Sequence, residues 1–530
     1  MGQGERQSSI DSYPMKAYKH AEKKGEFSSN DELSMGDQNI YFMVSCARSG
    51  STSLAKIFGE ASNGCCLSEP APSLNVECRQ QLDRKLPDPK SVVAQAIVPR
   101  VRDNLRRHEV YGEKNVTLTV FIPHLHDLFK CKFIYLRRDG RDVVRSLINW
   151  HNKKFGSIYR ECRDAGRLNP EARHRAGKLP VHMDTSDYSR PRPQPDSELY
   201  AEWDSLSRQE MCAYYWSTIN EIALQHVEAL PPGTSTTLDY TAPRPEDVLE
   251  ASKFCGLKGL SLGRIQELLQ SNINSLKDRG TDDSDLHADW KNWDGGERRR
   301  FERIAGASMK RLGYFRGTGT DWKPASYGAY WHGNSAGYDW YLWMHEYRKP
   351  IHSDFFAWAA DRDCAGDTIE SIADFGCGLG IGYCEQFADK RYIGIDLASK
   401  NTDWCLKHRS NPKHAYYSFD FMETPLTPRA DVVTSSGTID NCYDIEVFLD
   451  SMLRSARKWI YLTCYRGWFP ELEEHKYRWE PDHGCFYNDI SPGRVRAFLK
   501  ARGCTCITID RLRTGRFEIP YETRIVARVP

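Results

Sequence analysis

The sequence predicts an α/β protein with two units, each built on a mostly parallel sheet covered by helices. The first observation is at residues 40–58, where a short apolar run, a loop of small residues and a helical apolar spacing follow one another. The second is at residues 371–396, where an apolar run, a glycine turn and another apolar run ending in an acid follow one another. Each pattern predicts a strand that leads into a ligand-binding turn. A chain of 530 residues has room for both units.

Composition narrows the function classes. The formal net charge of +1 gives no general attraction for nucleic acid or membranes, and no nucleic-acid partner is predicted. No apolar run approaches the roughly 20 residues that span a bilayer, and the polar stretch 1–37 is predicted to be a disordered or loosely packed arm. The 17 cysteines are scattered without paired zinc-site spacing, so we predict no metal site, reduced thiols and a cytoplasmic location.

The first candidate site is the loop that follows the strand Ile40–Val44. Gly50 lets the backbone approach an anion, Arg48 adds a cation, and the start of the next helix attracts phosphate. A Walker loop is excluded because Ser51 stands where that motif has lysine, so a magnesium triphosphate and a kinase activity are poor alternatives. Hydroxyl donors come from four residues of the loop and helix start: Ser49, Ser51, Thr52 and Ser53.

A second stretch, residues 132–149, gives this loop a family context. Arg138 ends a predicted strand, and Ser146 follows it by eight residues. Together the two stretches resemble the sulfotransferases that use 3′-phosphoadenosine 5′-phosphosulfate, particularly the carbohydrate type, over residues 38–316. The resemblance implies a P-loop-like fold in which Arg48 and the loop hydroxyls hold the 5′-phosphosulfate and Arg138 and Ser146 hold the 3′-phosphate. Gly140 departs from the family, which usually has proline there.

The same resemblance suggests catalytic residues. Glu69, in a Glu-Pro pair, stands where carbohydrate sulfotransferases carry their base, which would take the proton of the acceptor hydroxyl. Lys114 matches the family's Gly-Glu-Lys segment and, with Arg48, would neutralise the sulfonate oxygens. Glu113 is a rival base, and the alternative for Glu69 and Lys114 is an ordinary surface role.

Three later segments receive weaker predictions. Residues 150–205 are predicted to be a basic insertion over the acceptor site. It could recognise an anionic glycan or a phosphorylated acceptor, or simply be a solvated helix face and loop. Lys277, Arg279 and the Trp290-Lys291 pair are weaker candidates for nucleotide contact. Residues 317–326 are predicted to be a linker.

The second unit, predicted at residues 327–530, carries an Asp-x-Gly-x-Gly-x-Gly pattern followed by a spaced acid. This resembles the class I methyltransferases, which have a Rossmann-like fold and use S-adenosylmethionine; a nicotinamide-binding domain fits the Gly-Cys-Gly form less well. The resemblance implies contacts with the methionine part, the ribose and the adenine amine, in that order: Asp374, Gly376, Gly378 and Gly380; Asp396; Asp420. His475 and His483 are candidate bases for a hydroxyl acceptor, and either could be an ordinary loop histidine.

The combined prediction is a bifunctional enzyme that sulfonates and methylates hydroxyl groups of a carbohydrate or glycoconjugate. Two alternatives remain: the same activities on a small secondary metabolite, or one active unit beside a binding scaffold. The sequence names neither the acceptor nor the oligomeric state.

Overall fold

The structure is a computed structural model. It describes residues 39–154, 157–161, 190–271, 287–329, 331, 339, 342–343, 353–513 and 520–530. The predictions for the arm 1–37, for Lys277 and Arg279, and for most of the insertion 150–205 therefore lie outside the described residues.

The N-terminal half contains a five-stranded parallel sheet in the order β2-β3-β1-β4-β7. Its strands are β1 Asn39–Val44, β2 Gly64–Ser68, β3 Val110–Lys114, β4 Lys132–Arg137 and β7 Ser235–Asp239. Its helices are α1 Ser51–Phe58, α2 Asn75–Leu82, α3 Pro89–Leu105, α4 Ile122–Phe129, α5 Gly140–Lys154, α6 Arg208–Glu228, α7 Pro245–Phe254, α8 Leu262–Gln270 and α9 Gly295–Arg311. The short strands β5 Ser157–Ile158 and β6 Arg160–Glu161 form a small antiparallel hairpin.

Strand β1 shows why this sheet has helices on both faces. Its alternate residues Ile40 and Phe42 belong to one buried cluster, whereas Tyr41 and Met43 belong to another. Because successive side chains of a strand point to opposite faces, an unbroken apolar strand needs cover on both sides. Helices α3, α4, α5, α6 and α9 cover the first face, and α1, α7 and α8 cover the second.

The C-terminal half contains a seven-stranded sheet in the order β10-β9-β8-β11-β12-β16-β15. Its first five strands are parallel, whereas β16 pairs antiparallel with both β12 and β15. The strands are β8 Ser371–Phe375, β9 Arg391–Asp396, β10 His414–Ser418, β11 Ala430–Ser436, β12 Ala456–Cys464, β15 Thr505–Arg513 and β16 Tyr521–Arg528, with a hairpin of β13 Trp479–Glu480 and β14 Cys485–Phe486. The helices are α10 Ser353–Cys364, α11 Tyr383–Gln386, α12 Ser399–His408, α13 Ile445–Ser455 and α14 Pro492–Ala501.

The predicted α/β class is confirmed, as are the strands that precede both candidate loops. The sulfotransferase type of the first unit and the unit boundaries remain predictions. In both sheets the parallel strands place their carboxyl ends, and the loops after them, at one edge.

The predicted linker 317–326 is more closely packed than its composition suggests. Trp322 is 2% exposed and joins the core cluster of the N-terminal half. Its indole Nε1 donates to Glu302 Oε1 at 2.5 Å, and its ring contacts Trp290, Trp293, Phe301 and Phe315. An aromatic residue among turn-forming residues can anchor a segment that would otherwise be open.

Across the described ranges, the structure has no helix both long and apolar enough to cross a lipid bilayer.

Candidate functional site

The first candidate site is the loop between β1 and α1. Ser45 exchanges two hydrogen bonds with Thr119 Oγ1, donating through N and accepting through O, each at 3.0 Å. Ala47 N donates to Tyr215 Oη at 2.7 Å. Helix α1 then begins without a side-chain cap, so its first amides are available to an anion. Contacts from two distant elements thus fix the loop, and the loop ends at an anion-binding helix terminus.

Gly50 is required at the turn into α1. Its φ of 89° lies in the left-handed region, and a methyl group at its Cα would overlap the ring of Tyr240. Tyr240 is in turn held by its own amide, which donates to Arg137 O at 2.8 Å. The close approach of this ring leaves no room for a side chain at position 50.

The predicted hydroxyl donors do not all have the same surroundings. Ser49 is fully buried, and its Oγ lies 2.9 Å from Cys46 Sγ, which indicates a role inside the loop. Thr52 Oγ1 accepts from Lys114 Nζ at 3.4 Å, and Ser53 bonds to the Tyr240 side chain. The Thr52 hydroxyl therefore contacts Lys114, one of the predicted catalytic residues.

Arg48, Arg138 and Ser146 meet, although the sequence separates them widely. Arg48 Nε donates to Ser146 Oγ at 3.0 Å, and Arg138 Nη1 donates to Arg48 O at 3.3 Å. The Arg48 guanidinium also lies 4.2 Å from the ring centre of Trp150. The structure thus brings the residues of both predicted phosphate contacts into one cluster.

This cluster concentrates positive charge. Burial, followed by the nearby cations Arg138 and Arg190, lowers the pKa of Arg48 to about 10, although the charge of Glu69 partly opposes the effect. Within the described residues, Arg138 Nε is buried without a hydrogen-bond partner, and the nearest carboxylate contact of its guanidinium is Asp142 at 3.9 Å. Partly buried cations with so little matching acid are stabilised when an anion binds.

Glu69 and Lys114 lie together at the carboxyl ends of β2 and β3. Lys114 Nζ is 2.5 Å from Glu69 Oε1, and Glu69 N donates to Lys114 O at 2.8 Å. The Lys114 side chain is 4% exposed, whereas that of Glu69 is 50% exposed. The carboxylate is therefore open to an acceptor, and the ammonium is held beneath it.

The rival base Glu113 has a different environment. It is fully buried and accepts two hydrogen bonds from Arg100, at 2.8 and 2.7 Å, and one from Tyr111 Oη at 2.7 Å. Alternation along β3 places it on the face opposite Lys114. These contacts favour a structural role for Glu113.

The second candidate site is the glycine loop after β8. Gly378 N donates to Asp396 Oδ2 at 2.8 Å, which ties the loop to the carboxyl end of β9. Asp396 Oδ1 accepts from Ala398 N at 2.9 Å and Asn401 Nδ2 at 3.2 Å. These three bonds fix the orientation of the Asp396 carboxylate at the end of β9.

Asp374 lies near the end of β8, and Gly376 is the first residue of the loop that follows. Asp374 is buried and accepts from Tyr392 Oη at 2.8 Å. Gly376 has a φ of 80°, and a methyl group there would overlap the side chain of Thr438, which follows β11. Gly378 and Gly380 also have positive φ values. Strands β8, β9 and β11 thus contribute adjacent groups at one sheet edge.

Asp374 supplies a pH-dependent prediction. Burial, with a smaller contribution from Asp396, raises its pKa to about 7. The folded state therefore keeps a proton that the unfolded state loses near pH 4, and stability falls as pH rises from about 4 to about 7. As pH rises from about 4 to about 7, we expect the free energy of unfolding of Asp374→Asn to increase relative to that of the wild type. Above pH 7 the difference should stay constant.

Urea unfolding of the wild type and of Asp374→Asn at pH 4, 5.5, 7 and 8.5 would measure this difference in stability. Asp440, whose pKa burial also raises to about 7, is present in both proteins, so its contribution cancels. A stability difference that does not change with pH would contradict the prediction.

Asp420, the predicted adenine contact, has a partner outside the motifs. Lys323 Nζ lies 2.8 Å from Asp420 Oδ2 and 2.8 Å from Glu423 Oε1. Met422 N donates to Asp420 Oδ1 at 3.0 Å. Asp420 follows β10 and therefore lies at the same sheet edge as Asp396.

The two candidate histidines differ in accessibility. His475 is 1% exposed, its Nδ1 accepts from Ser491 N at 3.0 Å, and burial together with Arg494, Arg299 and Arg298 lowers its pKa to about 3. His483 is half-buried, with Nδ1 2.8 Å from Tyr487 Oη. This geometry favours His483 over His475 for contact with an acceptor, and the base itself remains a prediction.

Four residues at these sites were missed by sequence reasoning: Tyr215, Arg190, Thr438 and Lys323. None belongs to a recognisable motif, and each lies far along the chain from the residue that it contacts. The cation–π contact of Arg190 with the ring of Tyr215, at 4.3 Å, had no local signal in the sequence.

Comparison with known proteins concerns the C-terminal half. Residues 373–460 match the family model described as "Methyltransferase domain". No curated protein sequence matches the chain.

Solved structures give distant likenesses. One is magnesium protoporphyrin IX methyltransferase from Synechocystis PCC 6803 with bound SAH, with 13% identity, a TM-score of 0.28 and coverage of 37% of this chain and 96% of that one. Another is an S-adenosylmethionine-dependent methyltransferase from Mesorhizobium loti, with 15% identity, a TM-score of 0.25 and coverage of 33% and 99%. TM-scores this low carry no weight for the function. On the family match, the C-terminal part of the chain contains a methyltransferase domain.

Proposed function

We propose that the methyltransferase domain uses S-adenosylmethionine as its donor. The bond from Gly378 N to Asp396 carries this proposal, because it joins the glycine loop to the acid that would face a ribose. Thr438 leaves no space for a side chain at Gly376. The backbone of the glycine loop, rather than a side chain, would therefore lie beside the ligand. The residues present therefore fit a nucleoside donor, which would supply an electrophilic methyl group when bound.

The N-terminal half is proposed to transfer a sulfonate group from 3′-phosphoadenosine 5′-phosphosulfate. The main support for this activity is the cluster of Arg48, Arg138 and Ser146 beside the start of α1, which has no side-chain cap. Among the described residues Arg138 Nε has no hydrogen-bond partner, and burial together with nearby cations lowers the pKa of Arg48. Both features suit a polyanionic nucleotide. The family match does not extend to this half, so this activity rests on the geometry and the sequence motifs.

In this proposal Glu69 accepts the proton of the acceptor hydroxyl while the hydroxyl oxygen forms its bond to sulfur. Lys114 and Arg48 stabilise the charge that develops while the bond between sulfur and the bridging oxygen breaks. Both Glu69 and Arg48 adopt left-handed backbone conformations, with φ of 49° and 68°. Such conformations are costly for residues with side chains and are concentrated at functional sites.

The proposed acceptor carries hydroxyl groups, as in a carbohydrate or glycoconjugate. The open Glu69 carboxylate suits a hydroxyl acceptor. A small secondary metabolite would use the same chemistry, and competition between polar and apolar acceptors would separate the two classes.

Paired binding measurements test both donor sites. We expect wild-type protein to bind 3′-phosphoadenosine 5′-phosphate and S-adenosylhomocysteine in calorimetry. Arg138→Ala should weaken only the first ligand and Asp396→Ala only the second, each by about tenfold or more, because a lost charged hydrogen bond costs about 1.5–3 kcal/mol.

Each variant is the control for the other. If wild type fails to bind one ligand, the corresponding half is not the proposed transferase. If either substitution weakens both ligands equally, the two sites are not independent.

A further inference from the structure

The ion pair between Lys323 and Asp420 brings a residue from outside the methyltransferase match to the edge of the proposed donor site. Lys323 precedes the matched residues 373–460 by 50 positions. Its ammonium is shared between Asp420 Oδ2 and Glu423 Oε1, both at 2.8 Å. The Lys323 side chain is 26% exposed and that of Asp420 12% exposed. The pair is thus shielded from solvent, where ion pairs have larger effects than at the surface.

Lys323 stays charged in this setting. Burial alone would lower the pKa of its ammonium, but the hydrogen bonds to Asp420 and Glu423 outweigh burial and raise it. The rings of Tyr327 and Tyr443 lie 5.8 and 5.6 Å from the ammonium. A cation in this position gives the Asp420 carboxylate a fixed partner of opposite charge.

The position of Lys323 is fixed by its neighbours. Trp322 is anchored in the core of the N-terminal half, and Asp321 O accepts a hydrogen bond from Arg141 on α5. Lys323 N donates to Thr320 O at 2.9 Å. The segment therefore delivers the lysine from a rigid part of the N-terminal half.

The Asp420 carboxylate retains acceptor capacity for a ligand. Oδ1 accepts from Met422 N at 3.0 Å, and Oδ2 accepts from Lys323 and, at 3.5 Å, from Tyr443 Oη. Of the two oxygens, Oδ1 has the fewer partners. A further N–H donor can bind there while Lys323 remains in place.

We propose that Lys323 is a positioning residue of the methyl-donor site, which orients the Asp420 carboxylate to accept a hydrogen bond from the exocyclic amine of adenine. This inference rests on the proposed function of the C-terminal half. It adds a residue of the N-terminal half to that site and assigns it a role in selecting adenine over bases that lack the amine.

Two ligands that differ at the base test the assignment. S-Adenosylhomocysteine carries the amine, and S-inosylhomocysteine carries an oxygen in its place. We expect wild type to prefer the adenosyl ligand. Lys323→Met should weaken the adenosyl ligand by about tenfold and leave the inosyl ligand unchanged, so that the preference falls by the same factor.

Lys390→Met is the matched control. Lys390 also forms an ion pair in the C-terminal half, with Asp363 at 2.7 Å, but it lies before β9 at the opposite edge of the sheet. We expect this variant to keep the wild-type preference. Lys323→Arg retains the charge and should restore most of the preference, even if Lys323→Met loses stability.

Equal weakening of both ligands in Lys323→Met would overturn the assignment and leave Lys323 a packing role. An unchanged preference would overturn it as well. If wild type binds neither ligand, the proposed function fails and the inference fails with it.

Discussion

Replacing Glu69 with glutamine is expected to lower the rate of sulfonate transfer by about 10²–10⁴-fold and to leave binding of 3′-phosphoadenosine 5′-phosphate nearly unchanged. The amide keeps the size of the carboxylate but cannot accept the hydroxyl proton. The Glu69 side chain is half-exposed, but the substitution removes the carboxylate partner of the buried Lys114 ammonium, so we expect a moderate loss of stability. Radiolabelled sulfonate transfer to an acceptor, together with calorimetric binding of the nucleotide, would measure both effects.

Glu113→Gln distinguishes the two candidate bases. Glu113 is buried against Arg100, and breaking such a pair costs about 3–5 kcal/mol. Because both side chains of this pair are largely buried, whereas Glu69 is half-exposed, we expect a larger loss of thermal stability in Glu113→Gln than in Glu69→Gln. Full sulfonate transfer by Glu69→Gln would contradict the assignment of Glu69 as the base. A stable, inactive Glu113→Gln would make Glu113 the base instead.

The strands and loops around both sites could be predicted because their signals are local. In β1 the unbroken apolar run from Ile40 to Val44 requires cover on both faces, and the structure provides it. The contact between Arg48 and Ser146 was foreseeable for a related reason. Each residue follows a strand of the same parallel sheet, and parallel strands deliver such residues to one edge.

Local patterns did not reveal partners that come from distant elements. Nothing near Lys323 indicates that it reaches Asp420, since that contact depends on how Trp322 packs among residues of α9 and the segment before it. His475 shows the converse problem. The sequence offered it as a base or as an ordinary loop histidine, but its side chain is buried beside three arginines, a depth that only the tertiary structure reveals.

Replacing Gly376 with alanine is expected to cost stability and to abolish binding of S-adenosylhomocysteine. The φ of 80° alone costs a residue with a side chain about 1–2 kcal/mol. The added methyl group would also overlap Thr438, and overpacking of this kind costs about 1–3 kcal/mol more. Because Thr438 follows β11 at the donor edge of the sheet, its displacement should distort the ligand site itself.

Gly366→Ala separates the two costs, because Gly366 has a φ of 79° but no atom within 4 Å of the added methyl position. Urea unfolding should show the backbone cost in both variants and the overlap cost only in Gly376→Ala, while calorimetry should show loss of ligand binding only in Gly376→Ala. Adding Thr438→Ala removes the two atoms nearest to the new methyl group and should recover part of both losses. If Gly376→Ala and Gly366→Ala are equally stable and bind the ligand equally well, then contact between the glycine loop and Thr438 does not shape the donor site.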